Sequence, residues 1–114
     1  MVSSYIDATD RFNVAGNYIQ DVGEWDWVTV QLVTPVGTTT FNTTNDAGAI
    51  TGISDGTPPS ATNWIAVQGT NLNSGAGAST LAGAGLIRFA VIGKYLQISG
   101  TSAAKVLIKL SKIE

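Results

Sequence analysis

The 114-residue sequence contains neither cysteine nor histidine. Without cysteine, a disulfide framework and a thiolate nucleophile are both excluded. Without histidine, the commonest general base and a principal ligand of zinc and other transition metals are missing. Only a few carboxylates are left for acid–base chemistry. We therefore expect that the chain is not an enzyme and that it carries no metal or other cofactor.

Charged residues are scarce as well. They make up 12% of the chain, about half the usual share in a soluble domain. The net charge of −2 provides no basic surface for nucleic acid. No apolar run approaches the ~18 residues of a membrane span, and we expect that the first residues do not act as a signal peptide. The remaining surface of Thr, Ser, Asn, Gln and Gly is typical of proteins that pack against other proteins.

Charges of opposite sign are separated along the sequence. Acidic residues concentrate in the first half, where Arg11 is the only base. Basic residues concentrate in the last quarter, where Glu114 is the only acid. The separation is either a chance feature of a sparse set or a sign of complementary faces that let copies or partners meet head to tail.

Short stretches of alternating apolar and polar residues predict β-strands along most of the chain. In residues 25–34, for example, Val28, Val30 and Leu32 share one face. The other predicted strands are residues 38–43, 47–53, 62–69, 86–92, 95–98 and 105–110. No segment shows the sustained 3.6-residue apolar period of a helix. The sequence therefore predicts an all-β protein, an antiparallel, jelly-roll-like β-sandwich of about seven or eight strands.

Glycine-led turns are predicted between the last strands. Gly93-Lys94 predicts a two-residue hairpin, and Gly100 predicts a turn into the final strand. In an earlier strand, Ile65 and Val67 are predicted to face the same way because they are two residues apart.

The length allows one domain. We expect residues 1–10 to form an N-terminal arm or edge strand and residues 11–114 to form a single β-sandwich domain. The segment 74–85 is rich in Gly, Ala and Ser and predicts a long loop. That loop is either a surface connection or a place where small side chains allow close approach of a neighbouring subunit.

The three tryptophans lie on the less apolar side of their predicted strands. They either close the ends of the core, or anchor a protein–protein interface, or form a platform for sugar rings as in carbohydrate-binding modules. The second alternative makes aromatic and basic residues the candidate interface. These candidates are Trp25, Trp27, Trp64, Tyr95, Arg88, Lys105 and Lys109.

Glu24 and Asp26 form a candidate acidic pair, because a spacing of two on a strand places both carboxylates on one face. Such a pair suits a glycosidase site or a calcium site. The alternative, which we favour, is a solvated strand edge whose charges discourage pairing with other chains.

The C-terminal half resembles a known group of proteins. Residues 63–69, the Gly-rich stretch after them, residues 86–98 and the Gly100-Thr101 turn are similar to small structural proteins of tailed bacteriophages. In particular they resemble head decoration, or cement, proteins built as compact β-sandwiches or jelly rolls. The resemblance covers residues 60–113. It lies in the pattern of strands and turns and not in a catalytic motif. It implies a dimer or trimer that binds the outside of an assembled capsid and bridges its subunits, with no residue roles carried over.

We therefore expect a capsid decoration protein on the outer surface of the virion, made in the host cytoplasm. Its partners would be the lattice of major capsid protein and further copies of itself, with no nucleic acid or membrane. The alternative is a carbohydrate- or receptor-binding module of a phage tail or fibre, which would use the tryptophans and Tyr95. A weaker third hypothesis is a calcium-assisted hydrolase that uses Glu24 and Asp26.

Overall fold

The computed structural model describes residues 2–9, 11, 17–33, 37–45, 64–90, 93–100 and 105–113. These residues form an all-β structure of two antiparallel sheets, so the predicted antiparallel sandwich is confirmed. The strands are β1 (Val2–Asp7), β2 (Asn17–Asp21), β3 (Trp27–Leu32), β4 (Thr39–Thr44), β5 (Ile65–Ala66), β6 (Gly69–Asn71), β7 (Gly77–Ala78), β8 (Thr80–Leu81), β9 (Gly85–Ala90), β10 (Tyr95–Ser99) and β11 (Val106–Lys112). Within the same ranges, no helix has the length and apolar character needed to span a membrane.

The strand pairing is nested. β1 pairs with β11, β2 with β10, β3 with β9, and β4 with β5. This is the pairing of one long hairpin. The further pairings of β11 with β3 and of β10 with β4 join separate parts of that hairpin side by side within each sheet. Sheet A has the order β1-β11-β3-β9-β6-β7, and sheet B has the order β2-β10-β4-β5, with β8 also on β4. A long hairpin rolled into two facing sheets is a jelly roll.

The core lies between the two sheets and follows the predicted alternation. Val28, Val30 and Leu32 of β3 are fully buried. They lie opposite the buried residues of β11, which are Leu110, Ile108 and Val106 respectively. Each such side chain contributes roughly 1.5–3 kcal/mol when it is fully buried. Phe41 of β4 closes the core from the side of sheet B.

The predicted hairpin at Gly93-Lys94 is wrong. β9 belongs to sheet A, whereas β10 belongs to sheet B and pairs with β2 and β4. The backbone N–H of Lys94 donates to the carbonyl oxygen of Thr44, which places this segment beside the end of β4. Gly93 and Lys94 therefore lie on a connection between the sheets. Gly100, with φ of +90°, follows β10 where the chain returns to sheet A.

The shared orientation predicted for Ile65 and Val67 is also wrong. Ile65 is 68% exposed, whereas Val67 is 3% exposed. The strand ends at Ala66, and the N–H of Val67 donates to the carbonyl oxygen of Phe41. Alternation applies only while the backbone stays in the ladder, so it does not extend to Val67. The predicted strand 47–53 lies outside the described residues.

The segment predicted as a long loop, residues 74–85, is mostly turn and loop but is interrupted by short strands. It contains β7, β8 and the first residue of β9. Gly75 has a φ of +78°, a conformation in which glycine avoids the clash of a side chain, and it lies in the turn between β6 and β7. At the other edge of sheet A, residues 2–7 form the edge strand β1.

Candidate interaction surface

One side of sheet A points away from the core and carries several large side chains. Because side chains alternate along each strand, residues next to the buried ones in β1, β11, β3 and β9 emerge on this side. We call this surface the sheet A face. Its members are Tyr5, Asp7, Trp27, Thr29, Gln31, Leu86, Arg88, Leu107 and Lys109.

The strand register aligns these residues in rows across the sheet. The first row contains Tyr5, Lys109, Thr29 and Arg88. The second row contains Asp7, Leu107, Gln31 and Leu86. Neighbours in a row belong to paired strands, so their side chains lie close enough to interact directly. Residues from both ends of the sequence are thereby brought onto one surface.

Two aromatic rings on the sheet A face are each paired with a cation. The guanidinium carbon of Arg88 lies 4.9 Å from the centre of the Trp27 ring. The Nζ atom of Lys109 lies 5.7 Å from the centre of the Tyr5 ring. Such contacts contribute about 0.5–1 kcal/mol at exposed sites. The Tyr5 ring remains available for contact, since Tyr5 is 75% exposed, whereas Trp27 is partly buried.

A groove of about 480 Å³ runs across the sheet A face. Leu86 and Leu107 provide apolar walls, while Asp7, Gln31 and Lys109 provide polar groups. This size and this mixture, an apolar lining with a few polar groups, are typical of sites that bind other molecules.

Asp7 gives the groove a fixed negative charge. Hydrogen bonds from the Thr9 hydroxyl and then from the Thr9 backbone N–H lower the pKa of Asp7 below its ordinary value, and Lys105 and Arg11 add smaller effects in the same direction. Hydrogen bonds to the ionised form favour it. The carboxylate is therefore ionised at neutral pH, with Lys109 in the adjacent row of the same surface.

Three of the residues predicted from the sequence meet on this surface: Trp27, Arg88 and Lys109. Lys105 is exposed just before β11, and its backbone oxygen accepts a hydrogen bond from the N–H of Val33. Its positive charge helps to lower the pKa of Asp7, which is a member of the sheet A face.

The other predicted aromatic residues lie elsewhere. Trp25 is partly buried and packs against the core, as in the explanation that tryptophans close the core ends. Trp64 is partly buried just before β5. Tyr95 lies in β10 of sheet B and is 4% exposed, with the Nζ atom of Lys94 5.2 Å from its ring centre. Tyr95 is therefore not part of the sheet A face.

The two acidic residues do not share a strand. Glu24 lies in the turn before β3, which begins only at Trp27. Asp26 accepts a hydrogen bond of 2.7 Å from the N–H of Ile113, so its carboxylate joins the end of β11 to the start of β3. In the described part of the chain, no group of three or more acidic side chains is placed to hold a metal ion.

Acidic and basic residues that are distant in sequence meet in the fold. The Nζ atom of Lys94 lies 3.0 Å from an oxygen of Asp21, because β2 and β10 are paired. A hydrogen bond from the backbone N–H of Gly23, together with Lys94, lowers the pKa of Asp21, and Asp21 raises the pKa of Lys94. The nested pairing thus brings opposite charges together within one molecule.

Comparison with known proteins gives a likeness of fold. No family model matches the sequence, and no curated protein sequence matches it. Among solved structures, the fold is similar to the crystal structure of the SPBc2 prophage-derived protein YomS, with a TM-score of 0.62. The two are 14% identical over 96% of this chain and 95% of that chain. The likeness therefore extends over the whole jelly roll, and at this identity it establishes the fold alone.

Proposed function

We propose that this chain is a structural protein of a bacteriophage that decorates the capsid. In this role it binds the outside of the head through the sheet A face and bridges subunits of the major capsid protein. YomS is prophage-derived, and its fold is similar to this one over nearly the whole length of both chains. This likeness supports the assignment to a phage. The absence of histidine and cysteine agrees with a binding role that requires no catalytic group.

The observation that carries the proposal is the composition of the sheet A face. Trp, Tyr and Arg are the residue types over-represented among interface hot spots, and here they occur together on a stiff sheet. Leu86 and Leu107 add apolar area in the second row of the same face. A capsid offers the same partner surface many times, so moderate contacts repeated over a lattice give firm attachment through effective concentration.

Binding to empty, undecorated heads tests the proposal. We expect cryo-electron microscopy to show added density at regular lattice positions after the purified protein is mixed with the heads. The Arg88→Ala variant, which removes the cation above Trp27, should need at least about tenfold more protein for equal occupancy, equivalent to about 1.4 kcal/mol.

Ile65→Ala is the matched control, because Ile65 is highly exposed but lies on β5 of sheet B. It should decorate heads as the unchanged protein does. Heads without added density would refute the decoration role. Equal losses in the Arg88 and Ile65 variants would refute the assignment to the sheet A face.

The groove supports a second candidate function, a carbohydrate- or receptor-binding module of a phage tail or fibre. The exposed ring of Tyr5 can stack on the apolar side of a sugar, and the amide of Gln31 can hydrogen-bond with sugar hydroxyls. We expect hits on a glycan array under this hypothesis, and Gln31→Ala should abolish them. An array without hits would exclude it for the glycans tested.

A further inference from the structure

The outer edge of sheet A is a long strand without protection. β1 has six residues and pairs with β11 along one side; among the described residues no other strand pairs with it. Natural proteins guard such edges with proline, lysine, bulges or very short strands. Residues Val2–Asp7 contain no proline, lysine or arginine. By contrast, the opposite edge of sheet A is formed by β7, which has only two residues.

The register identifies which backbone groups of β1 point away from β11, its pairing partner in the described part of the chain. The N–H of Ala8 donates to the oxygen of Val106, which continues the β1·β11 ladder. In an antiparallel pair, hydrogen-bonded and non-bonded positions alternate. Even-numbered residues of β1 therefore bond to β11. The odd-numbered residues Ser3, Tyr5 and Asp7 direct their N–H and C=O groups to the open edge.

The bonds on the other side of β11 agree with this assignment. The N–H of Val33 donates to the oxygen of Lys105, so odd-numbered residues of β11 face β3. Even-numbered residues of β11 therefore face β1, where each lies opposite an even-numbered residue. The open edge of β1 is thus a regular template of donors and acceptors at every second residue.

We propose that this edge pairs with β1 of a second copy of the chain, antiparallel and around a twofold axis at Tyr5. Tyr5 then lies opposite the partner's Tyr5, and Ser3 lies opposite the partner's Asp7. In this register every free residue of the edge exchanges two backbone hydrogen bonds. A shift of two residues in either direction leaves Ser3 or Asp7 without a partner residue.

Side chains favour the same arrangement. The ring of Tyr5 is an exposed group on β1, and the pairing places it beside the partner's Tyr5 on the sheet A face. The only charge on the strand, Asp7, faces a serine of the other copy, so no like charges meet directly. The contact is isologous and therefore closes as a dimer, with the two sheets A joined edge to edge.

Cysteine cross-linking tests the pairing and its register, because the chain has no cysteine of its own. Directly opposite residues of such a pair have Cα atoms about 5.5 Å apart, which suits a disulfide. With a mild thiol oxidant, Tyr5→Cys should form covalent dimers. Ser3→Cys alone should not form covalent dimers, because its opposite residue is the partner's Asp7. A variant that combines Ser3→Cys with Asp7→Cys and keeps Tyr5 should form them. Ile65→Cys is the surface control and should stay monomeric on a reducing-agent-free gel.

Sedimentation of the unmodified protein gives a second measurement. We expect a dimer, and Tyr5→Lys, which places a guarding charge on the edge, should weaken it at least about tenfold. Ile65→Lys should leave it unchanged. The unmodified protein should be measured over a roughly 100-fold range of concentrations up to ~0.1 mM, which is well above the micromolar range of ordinary association. A protein that stays monomeric over this whole range would overturn the inference. So would equal cross-linking of Ser3→Cys and Tyr5→Cys. A monomer that still decorates heads would overturn this inference and leave the proposed function standing.

Discussion

The ring of Phe41 packs against the ring of Phe89, with centroids 5.1 Å apart and ring planes at 51°. Phe41 belongs to β4 of sheet B and Phe89 to β9 of sheet A, so the contact spans the interior between the sheets. Both side chains are buried. Aromatic pairs favour tilted geometries at this distance. The two sheets are therefore joined by a specific contact as well as by general apolar burial.

Truncation of either ring should be strongly destabilising. We expect Phe41→Ala to lower the free energy of unfolding by about 3–5 kcal/mol, because it removes a large buried side chain and leaves a cavity. Phe89→Ala should act similarly. Urea denaturation of both variants and of the double variant measures the coupling, which we expect to be about 0.5–1.5 kcal/mol. Strict additivity would show that the rings do not interact.

Gly69 is required for the approach of β6 to β9. A Cβ atom at this position would lie 2.5 Å from the carbonyl oxygen of Arg88 and 2.7 Å from the Phe89 ring. Gly69→Ala should therefore cost about 1–3 kcal/mol in urea denaturation. Gly83→Ala is the matched control, because its Cβ would meet nothing within 4 Å, and it should be neutral or slightly stabilising. Equal effects of the two changes would contradict the close approach.

Thr39 offers a route to higher stability. Its side chain is fully buried, and its hydroxyl has no hydrogen-bond partner in the part of the chain that the structure describes. Thr39→Val keeps the shape and removes an unsatisfied polar group, so we expect a gain of about 1 kcal/mol in the free energy of unfolding. Thr40→Val removes the hydroxyl that lies 2.8 Å from Ser99 Oγ, and it should instead cost about 0.5–1.5 kcal/mol. Loss of stability in Thr39→Val would show that its hydroxyl is bonded.

Stability should depend on pH at both ends of the scale. The pKa values of Asp7 and Asp21 are lowered in the folded protein, so their contributions are present above the ordinary value of 3.8 and are lost as pH falls through the folded values. The pKa of Lys94 is raised, so its contribution is present below 10.5 and is lost as pH rises through the folded value. Asp21→Asn should flatten both limbs of a plot of melting temperature against pH.

Lys94→Met is the companion variant to Asp21→Asn. It should flatten the alkaline limb as much as Asp21→Asn does, because the two side chains form one ion pair. High salt should reduce the effect in the unchanged protein, since both groups are about half exposed and therefore screened. An Asp21→Asn protein with both limbs unchanged would contradict the pairing.

The sequence predicted those parts of the fold that depend on local pattern. The buried faces of β3 and β11 follow from alternation alone, because Val30 and Ile108 repeat the pattern of their neighbours. The step from β9 to β10 could not be predicted in this way. A glycine turn such as Gly93-Lys94 is compatible with a hairpin or with a change of sheet, and the choice depends on pairing with β2 and β4.

The candidate surface was only partly predictable for a related reason. Trp27, Arg88 and Lys109 stand out by residue type, whereas Tyr5 and Leu107 become significant only through the register of four strands. Residues 1–10 were predicted as an arm or an edge strand, and the position of Tyr5 between Ser3 and Asp7 on one face of β1 is the signal that could have added Tyr5 to the candidate residues. Residue type alone also suggested Tyr95, whose burial depends on sheet B.

The central place of β11 has a consequence for synthesis on the ribosome. β11 lies between β1 and β3, although its residues are translated long after theirs. Sheet A therefore cannot be completed until residues 106–112 have left the exit tunnel. Until then β1 lacks the strand that it pairs with, and β3 keeps the side that faces β11 unpaired. Such pairing of distant segments is slow and leaves strands open to aggregation. A ribosome stalled before residue 106 should thus carry a protease-sensitive chain, and release of the full-length chain should convert it to the resistant state.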